Sequence, residues 1–582
     1  IGARPVEGHR RDLLIEHLHT LNDAYRCLHD RHLVALARET NIPMAEVYEV
    51  ATFYHHFEVV KGDANGDANG VGRAPGLTVR VCDGLACEMA GAQDLLARLP
   101  AFLGNPDVRV ISAPCIGRCE QAPAALVHQS AVPFASLESV IYALNSHPAQ
   151  VGRAQAAINF IASDYAEKSI PDALGYTDYA TYRAHGGYAL AASLANDEGA
   201  AERILQVMED SGLRGLGGAG FSAGRKWRIV RDQSAPRLMA LNLDEGEPGT
   251  FKDRVYLERD PHRFIEGLLI AAQVVGVAAC YIYLRDEYHD CRAMLEQELA
   301  KLRADPPCRL PLIELRRGAG AYICGEESAM IESIEGKRGE PRKRPPYIAE
   351  VGLFGRPTLE HNFETLYWVR DIVEKGPAWF AGFGRNGRKG LRSFSVSGRV
   401  RQPGVKLAPA GITLQELIDE YCGGMAEGHE LYAYLPGGAS GGILPASMNN
   451  IPLDFDTLQP YGCFIGSAAV MVLGQHDRAR DAALNVMRFF ADESCGQCTP
   501  CRVGTVKAAR LMEAPVWDAR LLDDLAQVMG DASICGLGQA APNPIRCVHK
   551  YFAHEVGEAA WPGSLPPPAE PAVTEHATEG DA

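Results

Sequence analysis

The sequence predicts an α/β protein built from several domains. At 582 residues the chain exceeds the length of about 250 to 300 residues at which single hydrophobic cores stop growing. Strand-like and helix-like apolar patterns alternate over residues 77–145 and again over 199–385, whereas residues 476–555 have helical spacing throughout. We therefore expect two α/β units and a separate helical region.

Composition and charge narrow the class of protein. With 47% hydrophobic and 22% charged residues the chain is globular, and its formal net charge of -16 argues against nucleic acid or an anionic membrane as the main partner. The uncharged run 268–284 is broken by Gly276 and ends in a β-branched, aromatic half typical of a buried strand, so we predict no membrane span. No segment has the order of a secretory signal, and we expect a cytoplasmic protein.

The first domain is predicted over residues 1–60. Within it, residues 9–58 place apolar side chains such as Leu14 and Leu18 at helical spacing, which predicts a helical bundle. The imperfect Gly-Asp-Ala-Asn repeat of residues 62–70 follows and indicates a flexible linker.

A small α/β domain is predicted over residues 76–146, followed by a connector over 147–198. The connector has mixed polarity and little periodicity, so we expect it to wrap over the next domain. The predicted elements of the small domain are strand 77–81, helix 91–99, strand 108–112, strand 124–127 and helix 137–144.

The remaining chain is predicted to form three domains and a tail. The largest, over 199–388, alternates helices and strands; short β-type segments and one helix at 413–421 indicate an α+β domain over 389–475. Residues 476–556 are predicted helical, and the Pro-, Ala- and Glu-rich tail 557–582 disordered. The predicted elements of the largest domain are helix 201–210, strand 237–243, helix 262–275, strand 280–285, helix 288–302, strand 310–315 and a helix beginning near 325.

Eight of the 16 cysteines fall into two tight groups. Cys495, Cys498 and Cys501 are each separated by two residues, and Cys535 lies further along the chain. Three such cysteines with one distant partner are typical of a 4Fe-4S cluster. Structural zinc is the alternative, but zinc more often uses two separated Cys-x2-Cys pairs.

The other group consists of Cys82 and Cys87, then Cys115 and Cys119, in predicted loops at strand ends. Glycines in both loops let the backbone fold around a small inorganic core, which fits a 2Fe-2S cluster. Four thiolates in two pairs also fit zinc, although zinc pairs usually have shorter spacing. The cysteines expected to be buried small hydrophobic residues are Cys27, Cys280, Cys291, Cys308, Cys324, Cys422, Cys463 and Cys547.

A glycine-rich loop, Gly215-x-Gly217-x-x-Gly220, matches the dinucleotide fingerprint but follows a predicted helix rather than a strand. Its small residues let backbone N–H groups approach a phosphate. The continuation adds Phe221, which can stack on a ring, and Lys226, which can pair with phosphate. We interpret this segment as a flavin phosphate and ring site.

Two acidic loops are further candidates for ligand binding. Asp244, Glu245 and Glu247 follow a predicted strand, at the sheet edge where ligands of open α/β sheets bind. Their carboxylates can bind ribityl or ribose hydroxyls, and the alternative is a solvated acidic loop. A second loop, 318–328, again places acids after glycines at a helix start, where acids also stabilise the helix dipole.

Together these motifs resemble a known family. Residues 9–145 are similar to the small 2Fe-2S subunit of respiratory complex I, and residues from about 200 to 555 to its FMN- and NADH-binding subunit, as if the two were fused. The resemblance implies a helical bundle plus thioredoxin-like domain, then a Rossmann-like FMN domain, a ubiquitin-like (β-grasp) α+β domain and a C-terminal helical bundle with the 4Fe-4S cluster. The motifs that carry it are Arg214-Gly-Leu-Gly-Gly-Ala-Gly-Phe221, Asn242-Leu-Asp-Glu-Gly-Glu-Pro-Gly249, Gly320-Ala-Tyr-Ile-Cys-Gly-Glu-Glu327 and Glu493-Ser-Cys-Gly-Gln-Cys-Thr-Pro-Cys501.

The resemblance also implies FMN, a 2Fe-2S cluster and a 4Fe-4S cluster as cofactors, with NAD as substrate. Glu245 is expected to tune the flavin, and acids near the adenosine ribose would repel a 2'-phosphate, which favours NAD over NADP. The implied FMN contacts are Gly215, Gly217, Lys226, Asn242, Asp244, Glu245, Gly325 and Asn362. The residues implied toward the nucleotide are Phe221, Glu247 and Glu327, and the remaining expected lining is Tyr322, Glu326, Tyr347 and His361.

Three positions depart from the family's usual pattern. Leu216 replaces an arginine, Tyr347 a phenylalanine and His361 an asparagine. The first two are expected to be tolerated. His361 alters one contact to the FMN phosphate, although a histidine can still donate a hydrogen bond.

Fused modules of this kind are diaphorase subunits of NAD-dependent formate dehydrogenases and NAD-reducing hydrogenases. Segments 407–417 and 437–447 are most similar to the β subunits of the metal-dependent formate dehydrogenases, and the first cysteine set, often incomplete in the hydrogenase type, is complete here. The resemblance therefore implies an NAD+-reducing diaphorase subunit of the formate dehydrogenase type, which receives electrons from a partner α subunit with a molybdenum or tungsten pterin and further Fe–S clusters and can also work in the reverse direction. The alternatives are a hydrogenase diaphorase, an NADH-oxidising module of a complex I-like enzyme, and a non-catalytic metal or cluster scaffold.

Overall fold

The structure, a computed structural model, describes residues 1–2, 5–61, 76–105, 107–145, 176–194, 197 and 199–557. The predicted linker at 62–70, most of the predicted connector and the predicted tail beyond Gly557 lie outside the described residues. Among the helices of the described ranges, none is long and apolar enough to cross a membrane.

The N-terminal region is helical, as predicted. Its apolar positions Leu14, Leu18, Leu33 and Val47 are fully buried in one cluster, which also includes residues of the following domains. Two short strands pair in parallel beside the helices. The elements are α1 (Leu14–Tyr25), β1 (Leu28–His29), α2 (Asp30–Thr40), α3 (Met44–Phe53) and β2 (Val59–Val60).

The small α/β domain is a four-stranded sheet with a separate core that includes Val79, Leu99 and Val140. Its strand order is β4-β3-β5-β6, with β3 parallel to β4 and antiparallel to β5. Cys82 is the last residue of β3, as the predicted strand-end position requires. The elements are β3 (Leu77–Cys82), α4 (Leu85–Met89), α5 (Ala92–Leu103), β4 (Val108–Ala113), β5 (Ala125–Val127), β6 (Ser130–Val132) and α6 (Leu137–Asn145).

Two short helices of the predicted connector lie within the described residues, α7 (Tyr179–Ala184) and α8 (Ala189–Leu194). Both pack on the next domain. The hydroxyl of Tyr182 donates to Glu266 at 2.6 Å, and the hydroxyl of Tyr188 lies 2.8 Å from Nδ1 of His262. This part of the chain therefore packs on the following domain.

The largest domain is built on a parallel sheet in the order β10-β7-β8-β9. The uncharged run of the sequence is the end of helix α12, then Gly276 in the left-handed conformation (φ 74°), then the buried strand β8. The strands are β7 (Arg237–Leu243), β8 (Val277–Leu284), β9 (Leu312–Arg317) and β10 (Thr358–Asn362). The helices are α9 (Ala200–Asp210), α10 (Ala223–Arg231), α11 (Lys252–Leu257), α12 (Pro261–Val275), α13 (His289–Ala304), α14 (Glu327–Ile334), α15 (Phe363–Tyr367), α16 (Val369–Lys375) and α17 (Pro377–Ala381).

The sequence patterns do not predict β10 or α10. The sequence of β10, Thr-Leu-Glu-His-Asn, has one strongly apolar residue, and the strand is held by pairing with β7, which is distant in sequence. Helix α10 begins where the glycine-rich loop ends, and the hydroxyl of Ser222 accepts from Arg225 N at its start. This places the glycine-rich loop before a helix N-terminus.

The next domain is a mixed five-stranded sheet in the order β12-β11-β15-β13-β14. Strand β11 runs parallel to β15 and antiparallel to β12, the arrangement of a β-grasp fold. The predicted helix at 413–421 is α18 continued by a π-helical turn, and Thr413 and Glu416 form a capping box. The elements are β11 (Leu391–Gly398), β12 (Gly404–Pro409), α18 (Leu414–Glu416), β13 (Leu431–Leu435), β14 (Leu444–Pro445) and β15 (Ala469–Gly474).

The C-terminal region is a helical bundle, as predicted. Its longer helices bury one face, and Val486, Ala508, Leu522 and Val548 have no exposed surface. The elements are α19 (Ala479–Asp492), α20 (Thr499–Met512), α21 (Ala519–Ala532), α22 (Gly536–Ala540) and α23 (Asn543–Tyr551).

Candidate active site

The candidate active site is a cleft of about 670 Å³ where three domains meet. It lies at the carboxyl ends of β7 and β10, and it is bounded by loops of the β-grasp domain and by α22 of the C-terminal bundle. The residues predicted to bind cofactor that line it are Gly215, Gly217, Phe221, Lys226, Asn242, Asp244, Glu245, Glu247, Tyr322, Gly325, Glu326, Glu327, His361 and Asn362.

Tyr347 is the predicted lining residue that the structure does not bring to the cleft. Its side chain is 56% exposed, and it begins a turn in which Glu350 N donates to its carbonyl at 2.9 Å. Arg344 occupies the nearby edge of the cleft and lies 2.8 Å from Glu327. Arg344 was not predicted as a site residue; it lies three residues before Tyr347 in the same basic, proline-rich segment.

The glycine-rich loop approaches β10 too closely for larger residues. A Cβ at Gly217 would lie 3.0 Å from Cβ of Asn362, and Gly220 adopts a left-handed φ of 65°. Gly215 N donates to the Phe221 carbonyl at 2.7 Å, which closes the loop. The loop therefore brings backbone to the cleft wall, as a phosphate cradle requires.

Lys226 is already paired in this loop region. Its Nζ donates to the Glu360 carboxylate at 2.9 Å and to the Glu360 carbonyl at 3.0 Å. Burial favours the neutral amine, but Glu360 and Glu327 raise the pKa of Lys226 above its ordinary value, so the side chain is charged. Glu360, on the unpredicted strand β10, was not identified from the sequence.

Asn242 and Asp244 join the two acidic loops. The amide of Asn242 donates to the Gly325 carbonyl at 2.8 Å and accepts from Asp244 N at 3.0 Å. Oδ2 of Asp244 is buried without a hydrogen-bond partner among the described residues, and burial raises the pKa of Asp244 well above its ordinary value. A ligand that offers a hydroxyl or ring N–H group would satisfy this oxygen, so the residues present fit a flavin.

Glu245 has a structural role beside the cleft. Its carboxylate accepts from the backbone N–H groups of Asp253 at 2.8 Å and Arg254 at 3.1 Å, at the start of α11, and from the hydroxyl of Tyr288 at 3.0 Å. Most of its hydrogen-bonding capacity is thus used within the protein. Any effect on a flavin is therefore electrostatic rather than through a free carboxylate.

Glu247 is the point where loops from two domains meet. Its Oε1 accepts from Ser440 N at 2.8 Å and Ser440 Oγ at 2.7 Å, and its Oε2 accepts from the Tyr322 hydroxyl. Burial raises the pKa of Glu247, although these hydrogen bonds act in the opposite direction. Ser440 belongs to the β-grasp domain and lies in segment 437–447, whose family resemblance did not identify it as a site residue.

The second acidic loop divides its carboxylates between two roles. Glu326 accepts from Ser328 N and Ala329 N, both at 2.9 Å, and so caps α14, which is the structural use considered for these acids. Glu327 faces the cleft beside Arg344, and burial and Glu360 raise its pKa. Phe221 lies at the edge of the same cleft with 43% of its surface exposed, so its ring is available for stacking.

His361 and Asn362 end strand β10 at the cleft. Nε2 of His361 accepts from Trp227 Nε1 at 2.6 Å, and burial lowers the pKa of His361 well below its ordinary value. The ring is therefore neutral with its proton on Nδ1, which keeps one donor. Asn362 donates to Asp253 at 2.7 Å and accepts from Glu364 N at 3.0 Å.

The first cysteine set converges between strand ends of the thioredoxin-like domain. All four side chains are 1–6% exposed, and Sγ of Cys115 lies 3.3 Å from Sγ of Cys119. Cys82 contacts both Cys115 and Cys87, and these contacts raise the pKa of Cys82. Together with the contact between Cys115 and Cys119, they link all four thiols. In the described part of the chain, no three His, Cys, Asp or Glu side chains are grouped as ligands of a single metal ion.

The first set is held directly against the flavin domain. Arg285 donates to the Cys115 carbonyl at 2.7 Å, and Arg254 donates to the Gly117 carbonyl at 3.0 Å. The Tyr288 hydroxyl would lie only 2.3 Å from a Cβ at Gly117, so this position has no room for a side chain. Tyr288 also donates to Glu245, which lines the cleft. Tyr288 therefore contacts both the cysteine loop and the lining of the cleft.

The second cysteine set adjoins the cleft through helix α22. Cys498 precedes α20, Cys501 is in its first turn, and Cys535 is the residue before α22. Gly536 and Leu537, which follow Cys535 directly, line the cleft. Of the other cysteines, Cys308 is half-buried and the rest are buried. Six of them agree with the prediction of small hydrophobic residues, whereas Cys463 and Cys547 face each other with their sulfurs 3.6 Å apart.

The cleft and the two cysteine sets fit the class of flavin- and iron–sulfur-binding proteins. The chain is 41% identical over 390 residues to an NADH-quinone oxidoreductase subunit of Rhizobium meliloti (strain 1021), a match that covers 64% of this chain and 92% of that protein. It is 40% identical over 372 residues to the mitochondrial NADH dehydrogenase [ubiquinone] flavoprotein 1 of Dictyostelium discoideum, covering 61% of this chain and 78% of that protein. The chain belongs to this family of complex I flavoprotein subunits.

Family descriptions and a solved structure extend this result to the rest of the chain. An NAD+-reducing [NiFe]-hydrogenase in the H2-reduced state superposes with a TM-score of 0.77 at 32% identity, covering 94% of this chain and 92% of that chain. The matching family descriptions are "Thioredoxin-like [2Fe-2S] ferredoxin" over 3–146, "Nuo51 FMN-binding domain" over 208–371, "SLBB domain" over 393–444 and "NADH-ubiquinone oxidoreductase-F iron-sulfur binding region" over 481–559.

These matches confirm the predicted fold class and the predicted cofactors. The chain is a mixed α/β protein with thioredoxin-like 2Fe-2S, FMN-binding, SLBB and 4Fe-4S domains, and it is an NAD-dependent oxidoreductase. The cluster interpretation of both cysteine sets is therefore preferred to zinc, and the non-catalytic scaffold is set aside.

Proposed function

We propose that the chain is the diaphorase subunit of a cytoplasmic NAD-dependent formate dehydrogenase. The observation that carries this proposal is the complete first cysteine set, with four buried thiols linked by contacts. Segments 407–417 and 437–447, which resemble the formate dehydrogenase subunits, support it, and the second contains Ser440 of the cleft wall. The proposed partner is an α subunit with a molybdenum or tungsten pterin and further Fe–S clusters.

When bound, the clusters would supply single-electron transfer and FMN would supply hydride exchange with NAD+, so the redox chemistry would belong to the cofactors. The protein supplies binding, orientation and electrostatics. The glycine-rich loop cradles the flavin phosphate, and Asn242, Asp244 and Asn362 position the flavin through amide and carboxyl groups at the cleft. The same residues serve NADH oxidation when the partner accepts electrons.

The nucleotide is proposed to lie on the side of Phe221, Glu247 and Glu327. The exposed ring of Phe221 can stack on a base, and the Glu327 carboxylate can accept from ribose hydroxyls. Glu247 already accepts from Ser440 and Tyr322, so it can accept one further hydrogen bond. A 2'-phosphate placed near these acids would be repelled. This arrangement favours NAD over NADP.

The first test is metal analysis of the intact complex that copurifies with this chain. Molybdenum or tungsten, together with formate-dependent NAD+ reduction, is the expected result. Nickel with hydrogen-dependent NAD+ reduction would replace this proposal by the second candidate, a hydrogenase diaphorase. That candidate is favoured by the likeness to the NAD+-reducing [NiFe]-hydrogenase, which spans 94% of this chain.

A further inference from the structure

Two cysteines outside the cluster sets face each other behind the cleft wall. Sγ of Cys463 lies 3.6 Å from Sγ of Cys547, and both side chains are 2% exposed. Cys463 belongs to the β-grasp domain and Cys547 to α23 of the C-terminal bundle. The contact therefore joins two domains through a pair of free thiols.

The surroundings of this pair distinguish its two sulfurs. A hydrogen bond from Cys463, a backbone hydrogen bond from Ile443 and the charges of Lys550 and Arg546 lower the pKa of Cys547 despite its burial. The pKa of Cys463 is raised by its contact with Cys547 and by burial. Cys547 is thus the better nucleophile, and Cys463 is positioned to attack a product formed on it.

The backbone beside the pair leaves room for the sulfurs only because residue 442 is a glycine. A Cβ at Gly442 would lie 2.6 Å from Sγ of Cys463 and 3.0 Å from Sγ of Cys547. Cys280, a buried cysteine in the middle of β8, differs, because burial alone raises the pKa of its thiol. The pair is therefore chemically distinct from a cysteine that serves as a small core residue.

The pair is adjacent to residues that form the cleft. Phe464 follows Cys463 directly, and Asn543 lies one helical turn before Cys547 in α23; both line the cleft. Asn543 also donates to the Ser440 carbonyl at 3.0 Å, and Ser440 holds Glu247. A bond between the sulfurs would join the β-grasp loop and α23 next to this contact.

We propose that Cys463 and Cys547 are a peroxide-sensitive dithiol whose disulfide locks the nucleotide side of the cleft. The Cys547 thiolate attacks hydrogen peroxide, forming a sulfenic acid and releasing one water after protonation. The Cys463 thiol then attacks that sulfur, forming the disulfide and releasing a second water. Two thiols lose two electrons and two protons, and one peroxide is reduced to two waters. The locking of the nucleotide side rests on the proposed position of NAD beside Glu247, whereas disulfide formation does not depend on that position or on the partner subunit.

The test treats the intact, anaerobically purified complex with a small excess of hydrogen peroxide. Samples that retain both cluster EPR signals are denatured, alkylated and digested for peptide mapping. The expected result is loss of the two alkylatable thiols at 463 and 547, one disulfide-linked peptide joining them, and reversal by dithiothreitol. Cys280 and Cys422 should remain alkylated. Free thiols at 463 and 547, or links from them to other cysteines, would overturn the proposal.

Single variants separate the two roles. In Cys463→Ser, peroxide should leave a sulfenic acid on Cys547 that dimedone labels, whereas Cys547→Ser should leave Cys463 unlabelled. Cys422→Ser, a buried cysteine of the same β-grasp domain, is the matched control and should form the disulfide normally. Labelling of Cys463 in Cys547→Ser would refute the assigned nucleophile.

A functional measurement tests the locking of the cleft. Oxidation should lower NADH-dependent dye reduction in the unaltered complex, dithiothreitol should restore it, and Cys463→Ser should show neither change. If the disulfide forms and the activity and the KM for NADH stay the same, the sulfurs do not control the cleft and that part of the proposal fails.

Discussion

Replacement of Arg254 by leucine is predicted to loosen the 2Fe-2S domain from the flavin domain. Arg254 is 1% exposed on α11. Its guanidinium donates to the Gly117 carbonyl at 3.0 Å, to both oxygens of Glu258 at 2.9 and 3.1 Å, and to Glu120. Gly117 and Glu120 belong to the loop that carries Cys115 and Cys119, so this one side chain connects the cluster loop to the flavin domain.

The size of the destabilisation follows from the unpaired charge of Glu120, which stays buried after the substitution. Leucine retains most of the apolar stem, but Glu120 loses its main partner and the Gly117 carbonyl loses a donor. Removing one member of a buried ion pair typically costs about 3 to 5 kcal/mol. At about 1.4 kcal/mol for each factor of ten, local opening of the cluster loop should become roughly 100- to 5,000-fold more frequent.

Amide hydrogen exchange measures this opening directly. Gln121 N donates to the Arg118 carbonyl at 2.9 Å within the cluster loop, and its exchange in Arg254→Leu should accelerate by the factor given above. The control is Arg98→Leu in the same domain. Its partner Asp94 is 68% exposed and Arg98 itself is 60% exposed, so less than about 1 kcal/mol is expected.

The pH dependence gives a second signature. Burial raises the pKa of Glu120 while Arg254 lowers it, so loss of Arg254 should let Glu120 take up a proton more readily. The excess opening should therefore shrink as the pH falls from about 8 to about 5. Unchanged exchange at Gln121, or equal acceleration in Arg98→Leu, would refute the reasoning.

Three further predictions test the cleft, the second cluster and the N-terminal bundle. Glu247→Gln should raise the NAD+ dissociation constant about tenfold or more and leave FMN bound, because hydrogen bonds to a charged group contribute about 1.5 to 3 kcal/mol. An unchanged dissociation constant would show that Glu247 does not bind the nucleotide. Cys535→Ala should abolish the 4Fe-4S EPR signal, whereas Cys422→Ala should retain it; a normal signal in the first variant would mean that another residue is the fourth ligand. Burial lowers the pKa of His19 from 6.5 to about 4, and its Nε2 donates to the Gly318 carbonyl at 2.8 Å. The free energy of unfolding therefore falls by about 3 kcal/mol as the pH falls from 6.5 to 4, because the unfolded chain binds the proton first. Faster amide exchange in α1 at low pH should show this loss, and His19→Gln should make the loss smaller.

The sequence alone identified the two cysteine sets and the main ligand loops. Cysteine ligands such as Cys495, Cys498 and Cys501 must all reach one small cluster, so their spacing in the sequence determines part of their geometry. The glycine-rich loop and the acids after β7 are also continuous segments. Each of these loops is recognisable from neighbouring residues in the chain, and the structure brings both loops to one cleft.

Only the tertiary structure decided how these segments are used. Glu245 and Glu247 are two residues apart, yet one caps α11 while the other binds Ser440 of another domain. Local spacing cannot distinguish these roles, because each depends on donors brought by distant segments. The position of Glu360 on β10 and the exposure of Tyr347 have the same origin, since a strand's pairing and a turn's direction depend on long-range contacts.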